Sequence, residues 1–469
     1  MDIRSRLKKD MKKDVAKFLS SLDFDRYIFE ADIDCNIAHV QMLAEENIID
    51  VEIANKIIKT LKELKKKGIK ALDLDPSLED IHMAIENYVT SKIGEEAGFM
   101  HIGKSRNDQV VTDLRLALKS KIEKLCKKLL NLIYKISKLA SKHKETVMVG
   151  YTHLQHAQPT TFAHYLLAYA NSLKRDYERL KDTYKRIDIN PLGSAAMTTT
   201  TFPINRKTTT KILGFSSYFE NSIDAVSSRD FIAETIFDLA MLATNISRIC
   251  EELILWSTYE FGLIEIGDEF CSTSSIMPQK KNPDVAEIIR AKSSNLYGDL
   301  MSVMSILKAL PHSYNRDLQE VTPHLWNSVN TIEKIIDIME GMLSSIKINK
   351  KRGIELAKSN FSVATDIADL IVKKRKLPFR VAHKIVGKLV SKCIDEGIKP
   401  SEINSKILDE VSKKVIGKKL NIKDEELKKV IDPFECIKQR NIVGGPSPKA
   451  VEKSIISLQK YVKNEYDRW

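Results

Sequence analysis

The chain has 469 residues, enough for a large buried core and more than a lone binding module needs. Apolar residues make up 43% and charged residues 29%, with only 17 glycines and 13 prolines, which excludes collagen-like, low-complexity and globally disordered chains and favours long helices. Its 75 basic and 63 acidic residues leave a net charge of +12, but the signs are interspersed apart from short basic runs such as 373–376, so the excess describes a soluble surface more than a nucleic-acid groove.

Residues 1–112 read as shorter helices and loops, the first domain. Cysteines at 35, 126, 250, 271, 393 and 436 form no C-x-x-C pair and follow no signal peptide, so they read as reduced thiols of a cytoplasmic protein, not a disulfide framework or zinc site. No glycine or proline interrupts 104–149 or 215–261. In the first run Ile122, Leu125, Leu129, Leu132, Ile136 and Leu139 alternate steps of three and four; Leu239, Leu242, Ile246, Ile249, Leu253 and Trp256 do so in the second. Further apolar residues beside the second seam, among them Ile232, Ile236, Ala240, Ala243 and Ile254, predict a helix over 231–261 with more apolar surface than one subunit covers. The stretches 160–190, 284–310 and 324–349 also read helical, although Gly298 and Gly341 weaken two of them. Five long helices thus fill a central domain, 113–364. A Lys-rich helical domain, 365–469, follows, broken at Pro378, Gly397, Pro400, Gly417 and Pro433. Strand signals are sparse, and the fold class is all-α. One uncharged stretch, 146–173, could span a bilayer by length, but its histidines, glutamines and hydroxyls exclude a membrane span.

Four polar islands interrupt the helical pattern. In 103–109, Asn107 or Asp108 could cap the next helix, while Ser105, Arg106, Asn107 and Gln109 together suit a carboxylate ligand. In 152–161, His153 and His156 stand three apart without the carboxylate of a zinc motif, so a satisfied buried histidine competes with a general acid or base. The stretch 272–283 carries a Ser-Ser pair, two lysines and an asparagine between prolines; it is either a capped surface loop or a mobile lid that brings a hydroxyl and an ammonium over a ligand. The fourth, 313–319, is weak alone.

Taken together the islands resemble the fumarase/aspartase superfamily and, within it, the argininosuccinate lyase branch. Ser274-Ser275-Ile276-Met277-Pro278-Gln279-Lys280-Lys281-Asn282-Pro283 is similar to the superfamily signature S-S-x-M-P-x-K-x-N-P, and the Gln279 to Asn282 version, Lys104 to Gln109 and Thr152 to Pro159 resemble the branch. So do Ala364-Thr365-Asp366-Ile367-Ala368-Asp369 and Pro378-Phe379-Arg380-Val381-Ala382-His383 near the C-terminus. The resemblance implies a homotetramer whose subunits each give five helices to a 20-helix core, with every active site shared among three subunits. It implies reversible elimination of argininosuccinate to fumarate and L-arginine in arginine biosynthesis, with no metal or organic cofactor.

By the same resemblance Ser274 is the base, Lys280 stabilises the aci-carboxylate, and Asn282 adds a hydrogen bond. Glu287 partners His153, the proton donor or relay. Ser105, Arg106, Asn107, Thr152, Arg229, Tyr314 and Gln319 bind substrate, with Asp224 nearby and Asp32 and Asn36 of the first domain as weaker candidates. Thr273 stands where glycine is common in the family, and Thr322 where a substrate-contacting lysine is common. Another superfamily lyase, such as adenylosuccinate lyase or aspartase, is the competing enzyme; an inactive crystallin-like relative and a basic helical nucleic-acid binder are the other classes.

Overall fold

The computed structural model describes residues 6, 9, 11–75 and 78–469. Helix dominates, and five long helices stand where breakers are scarce: Arg106–Ser141, Phe162–Ile187, Asp230–Ser257, Asp284–Leu307 and Val321–Ser345. The first, with 36 residues, is about 54 Å long at the standard rise. The chain forms two compact units, Met1–Cys126 with Asp176–Ala243 and Lys292–Lys334, and Lys127–Arg175 with Thr244–Ala291 and Ile335–Trp469. Each unit contains a segment of every long helix.

In the first unit, helices Phe29–Glu45, Val51–Lys67 and Ile81–Ile93 bury Ile33, Val40, Leu43, Ile57, Leu61, Leu64 and Ile85. Val51–Lys67 shows why such a segment is helical: Ala54, Ile57, Leu61 and Leu64 recur on one face, the Asp50 side chain accepts from Glu52 N, and Gly68 ends the helix at φ 75°. Arg115 braces the bundle segment. Its buried guanidinium donates to the carbonyls of Arg186 and Ile187 at 2.8 and 3.1 Å, which a helix C-terminus leaves open, and lies 4.0 Å from the centre of the Phe231 ring.

In the second unit the C-terminal helices break where the sequence places its breakers. Pro378 precedes Phe379–Asp395, Gly417 caps Ser405–Ile416 in the left-handed conformation, and Pro433 opens Pro433–Gln439. Ile367, Ile371, Ile385, Leu389, Leu408, Val411, Leu427 and Val430 form a core there.

Two expectations need correction. Helix Asp230–Ser257 is largely covered within one chain, since Ile232, Ile236, Leu239, Leu242, Ile246, Ile249, Leu253 and Trp256 are all buried. The exposed apolar row lies instead on Asp284–Leu307, at Ile288, Tyr297, Met301 and Met304. Apolar residues around a helix show that it is surrounded, not whether its own chain or another surrounds it. The second correction is a β-hairpin, Val147–Thr152 with Gln155–Thr161, inside the uncharged stretch. Val147 and Val149 pack on Ala357 and Ile437, and Gly353 lets its helix approach so closely that a Cβ there would stand 2.3 Å from the Val147 carbonyl oxygen. No helix of the described residues is long and apolar enough to cross a membrane.

Candidate active site

A cavity of about 210 Å³ in the first unit gathers Arg106, Asn107, Arg229, Tyr314 and Gln319 of the expected binding residues. Arg229, in the turn before helix Asp230–Ser257, is 2% exposed and donates from Nη1 to the carbonyls of Val226 and Ser228 at 3.2 and 2.9 Å. Its Nε and Nη2 are buried and meet no acceptor. Burial pushes the guanidinium pKa down to about 10, against the opposing influence of Tyr314, so it is still charged at neutral pH. Burial raises the Tyr314 phenol, so that group is a hydrogen-bond donor in the same range. A charged fork with two unused donor nitrogens, lining a cavity, fits a planar anion such as a carboxylate.

Arg106 is held by Asp80 at 3.0 Å and by Gln109 Oε1 at 3.2 Å. Asn107 donates to the Ala196 carbonyl at 3.0 Å, and Gln319 to that of Leu19 at 3.2 Å. The helix cap falls on neither Asn107 nor Asp108. Ser105 Oγ accepts from Asn107 N, and Asp108 Oδ1 reaches back to Ser105 N at 2.9 Å, a reciprocal cap. Asp108 Oδ2 then accepts from Gly193 and Ala195 at 3.0 and 2.8 Å, which ties a distant loop to the helix start. Thr322 is buried in the cavity wall, at the position where the resemblance leads one to expect a lysine.

The cavity also contains Ser21, Asp25, Asp80 and His82, which sequence reasoning missed. Asp25 accepts from Ser21 Oγ at 2.7 Å and Ile81 N at 3.0 Å. Burial raises its pKa to about 6, with His82 and the two donors opposing. Asp80 carried a signal, but for another purpose: it caps helix Ile81–Ile93 by accepting from Met83 N.

In the second unit, Thr152 and His153 are exposed at the tip of the hairpin. His153 and Leu154 form its two-residue turn with φ 55° and 57°, the left-handed pair that asparagine and glycine normally supply. The signature loop is a second hairpin, in which Ser272 pairs with Asn282 and Thr273 with Lys281. At its turn Ser274 Oγ accepts from Ile276 N at 3.3 Å and Met277 N at 3.0 Å. Two amide donors on one hydroxyl oxygen favour its alkoxide. Lys280 is exposed, while Lys281 is taken by Glu265 at 3.0 Å and Asp268 at 2.6 Å. Asn282 donates to Ser272 Oγ at 3.4 Å, and Glu287 is exposed in the first turn of Asp284–Leu307. Neither His153 nor Glu287 enters an ion pair within the chain among the described residues.

Two family models match: one described as lyase over residues 6–298, and one described as argininosuccinate lyase C-terminal over 361–438. The argininosuccinate lyase of Methanothermobacter thermautotrophicus is 61% identical over 466 residues, covering 99% of this chain and 100% of that protein. That of Methanocaldococcus jannaschii is 56% identical, covering 99% and 94%. Among solved structures, an EDDS lyase variant with bound fumarate superimposes with a TM-score of 0.86 at 31% identity, covering 95% of this chain and 88% of that one.

Proposed function

Because this chain belongs to the argininosuccinate lyase family, we propose that it cleaves argininosuccinate reversibly to fumarate and L-arginine, a step of arginine biosynthesis. The observation that carries the reading is the pair of backbone amides on Ser274 Oγ. A proton on carbon beside a carboxylate is weakly acidic, and a serine removes it only where its alkoxide is stabilised.

In the proposed reaction Ser274 takes the β-proton and the electron pair moves into the neighbouring carboxylate. Lys280 and Asn282 meet the added charge of that aci-carboxylate, where donors placed in advance lower the barrier most. The pair then expels the guanidino nitrogen as the C–N bond breaks. His153, partnered by Glu287, returns a proton to that nitrogen directly or through water. Ser105, Arg106, Asn107, Thr152, Arg229, Tyr314 and Gln319 hold the substrate's carboxylates and arginine half. A proton then passes from Ser274 to His153, directly or through water, which restores both groups for the next turnover.

The open, exposed state of the signature loop supports an active site shared among three subunits of a homotetramer, since the chemistry needs a dry enclosure. The apolar row Ile288, Tyr297, Met301 and Met304 supports assembly through helix Asp284–Leu307. The division into domains at 112 and 364 and a cytoplasmic location belong to the same reading. The test mixes purified protein with argininosuccinate and follows fumarate absorbance. Fumarate and arginine in equal amounts are expected; no fumarate, with turnover of adenylosuccinate or aspartate instead, overturns the assignment.

A further inference from the structure

Asp32, His82 and Asp113 are completely or almost completely buried, with His82 Nδ1 2.8 Å from Asp32 Oδ1 and 3.5 Å from Asp113 Oδ2. Asp32 is surrounded by donors. His82, Gln109 Nε2 and, at 3.0 Å, Asn36 Nδ2 all serve it, and Asn36 Oδ1 in turn receives the ammonium of Lys104. Asp113 lacks such support: neither of its buried carboxyl oxygens meets an N–H or O–H donor, and the Cys35 thiol beside it is a weak one. A buried carboxylate with no N–H or O–H donor, beside a second carboxylate, is among the least favourable arrangements a protein interior can hold. A proton on Asp113 removes the difficulty, because the resulting O–H can donate to Asp32.

We propose that Asp113 keeps its proton and shares it with Asp32, so that the pair holds one negative charge, and that this pair is a positioning device that presents His82 to the cavity. Two like carboxyls in one site split in this way. The directions agree: burial and the charge of Asp32 push Asp113 well above the carboxylate range, while at Asp32 burial is opposed by the hydrogen bond from His82 and the charge of Lys104, and the carboxylate is held below its usual range. With Nδ1 committed to the carboxyl pair, His82 offers Nε2 on the cavity side as an acceptor. The chemical class it takes is a cationic N–H donor, an ammonium or guanidinium. This rests on the proposed reaction, in which the arginine half of the substrate carries both.

Two carboxylates and an imidazole could instead hold a divalent cation, and their ligand atoms do lie within 4.8 Å of one another. The donors argue against it. Gln109 and Asn36 aim N–H groups at Asp32, and Lys104 is one hydrogen bond further out, a surrounding that repels a cation.

The full-length protein tests this with three variants and one spectrum. Asp113→Asn keeps a donor toward Asp32 and leaves the charge of the pair unchanged, so its KM and kcat stay near those of the parent. Asp113→Ala and Asp32→Asn raise KM about tenfold with a smaller effect on kcat, the worth of one charge-assisted hydrogen bond. Equal damage in Asp113→Asn and Asp32→Asn overturns the proposal. At pH 8, where Asp25 and Asp108 ionise, infrared spectroscopy of the parent should show the carbonyl stretch of a protonated carboxylic acid, and Asp113→Asn should lose it. Absence of that band, or a stoichiometric divalent metal in the purified protein, also overturns it. The spectrum needs no turnover, so a protein that forms no fumarate refutes the proposed reaction while leaving the carboxyl pair to be decided.

Discussion

Arg229→Met removes a charge that opposes folding and that a bound carboxylate would compensate. Burial lowers the folded guanidinium from its ordinary value to a pKa of about 10, which corresponds to about 3 kcal/mol of destabilisation while it is charged. Because the folded value is the lower, the charged group opposes folding at every pH below 10, and stability rises with pH only from 10 up to the ordinary guanidinium value. Methionine preserves most of the apolar stem but gives up the two hydrogen bonds from Nη1 to Val226 and Ser228, each worth about 1–1.5 kcal/mol. The two effects nearly cancel, so the variant should unfold within about 1 kcal/mol of the parent, a shift of a few degrees in Tm. Binding has no such cancellation. Losing the buried partner of a substrate carboxylate costs about 3–4 kcal/mol, or 10²–10³ in kcat/KM for argininosuccinate. Thermal denaturation and the fumarate assay measure both sides. A kcat/KM within about threefold of the parent would show that Nε and Nη2 meet no substrate anion, and unfolding made easier by several kcal/mol would make the guanidinium structural.

Ser274→Ala and Lys280→Ala should each abolish fumarate formation and leave the sedimentation coefficient unchanged; a fully active Ser274→Ala refutes the base assignment. Asp25→Asn should stabilise the protein at pH 7 by up to about 3 kcal/mol, because a carboxyl whose pKa is raised from 3.8 to about 6 supports the fold below pH 4 and loses that support as pH rises through 6. Urea unfolding at pH 4 and 7 checks this: the gain should be confined to the higher pH. Leu154→Gly should raise stability by about 0.5–1 kcal/mol and Leu154→Val lower it by about 1 kcal/mol or more, since glycine accepts a left-handed turn that a β-branched residue resists. Equal urea midpoints for the two would show that the turn is unstrained.

What the sequence made legible is what depends on neighbours along the chain. The long helices follow from a step of three and four uninterrupted by breakers, and the C-terminal boundaries from Pro378, Gly417 and Pro433, each of which acts within one turn of its own position. The signature loop was visible for the same reason. The hairpin was not, because its turn is His153-Leu154, which lacks the chemistry that marks such turns, and its strand pairing is interrupted by a bulge at Gly150. Asp108 misled for a related reason: its position suggested a cap, and it does reach back to Ser105, but its other oxygen fixes Gly193 and Ala195 some 85 residues away. Asp25, His82 and Asp113 gain their character from burial beside residues 31 to 81 positions distant, which no spacing along the chain records.

The local rules fail in a pattern. Arg229 has donors without acceptors, Asp25 is pushed toward its neutral form, and Asp113 is buried with no N–H or O–H donor, all in or directly behind one cavity. His153 and Leu154 hold conformations that cost about 1 kcal/mol or more each, at the tip that carries the proposed acid. Packing cannot account for these positions, since an apolar or glycine substitute would relieve each of them. Arg115, equally buried, shows the contrast: its Nη groups meet carbonyls and a hydroxyl, and its charge faces two aromatic rings. Arg115 leaves only its Nε without an acceptor, whereas Arg229 leaves two donors beside a cavity, a difference that favours a binding partner for the second. For Arg229 the proposed partner is an anion, and a carboxylate of argininosuccinate fits the role.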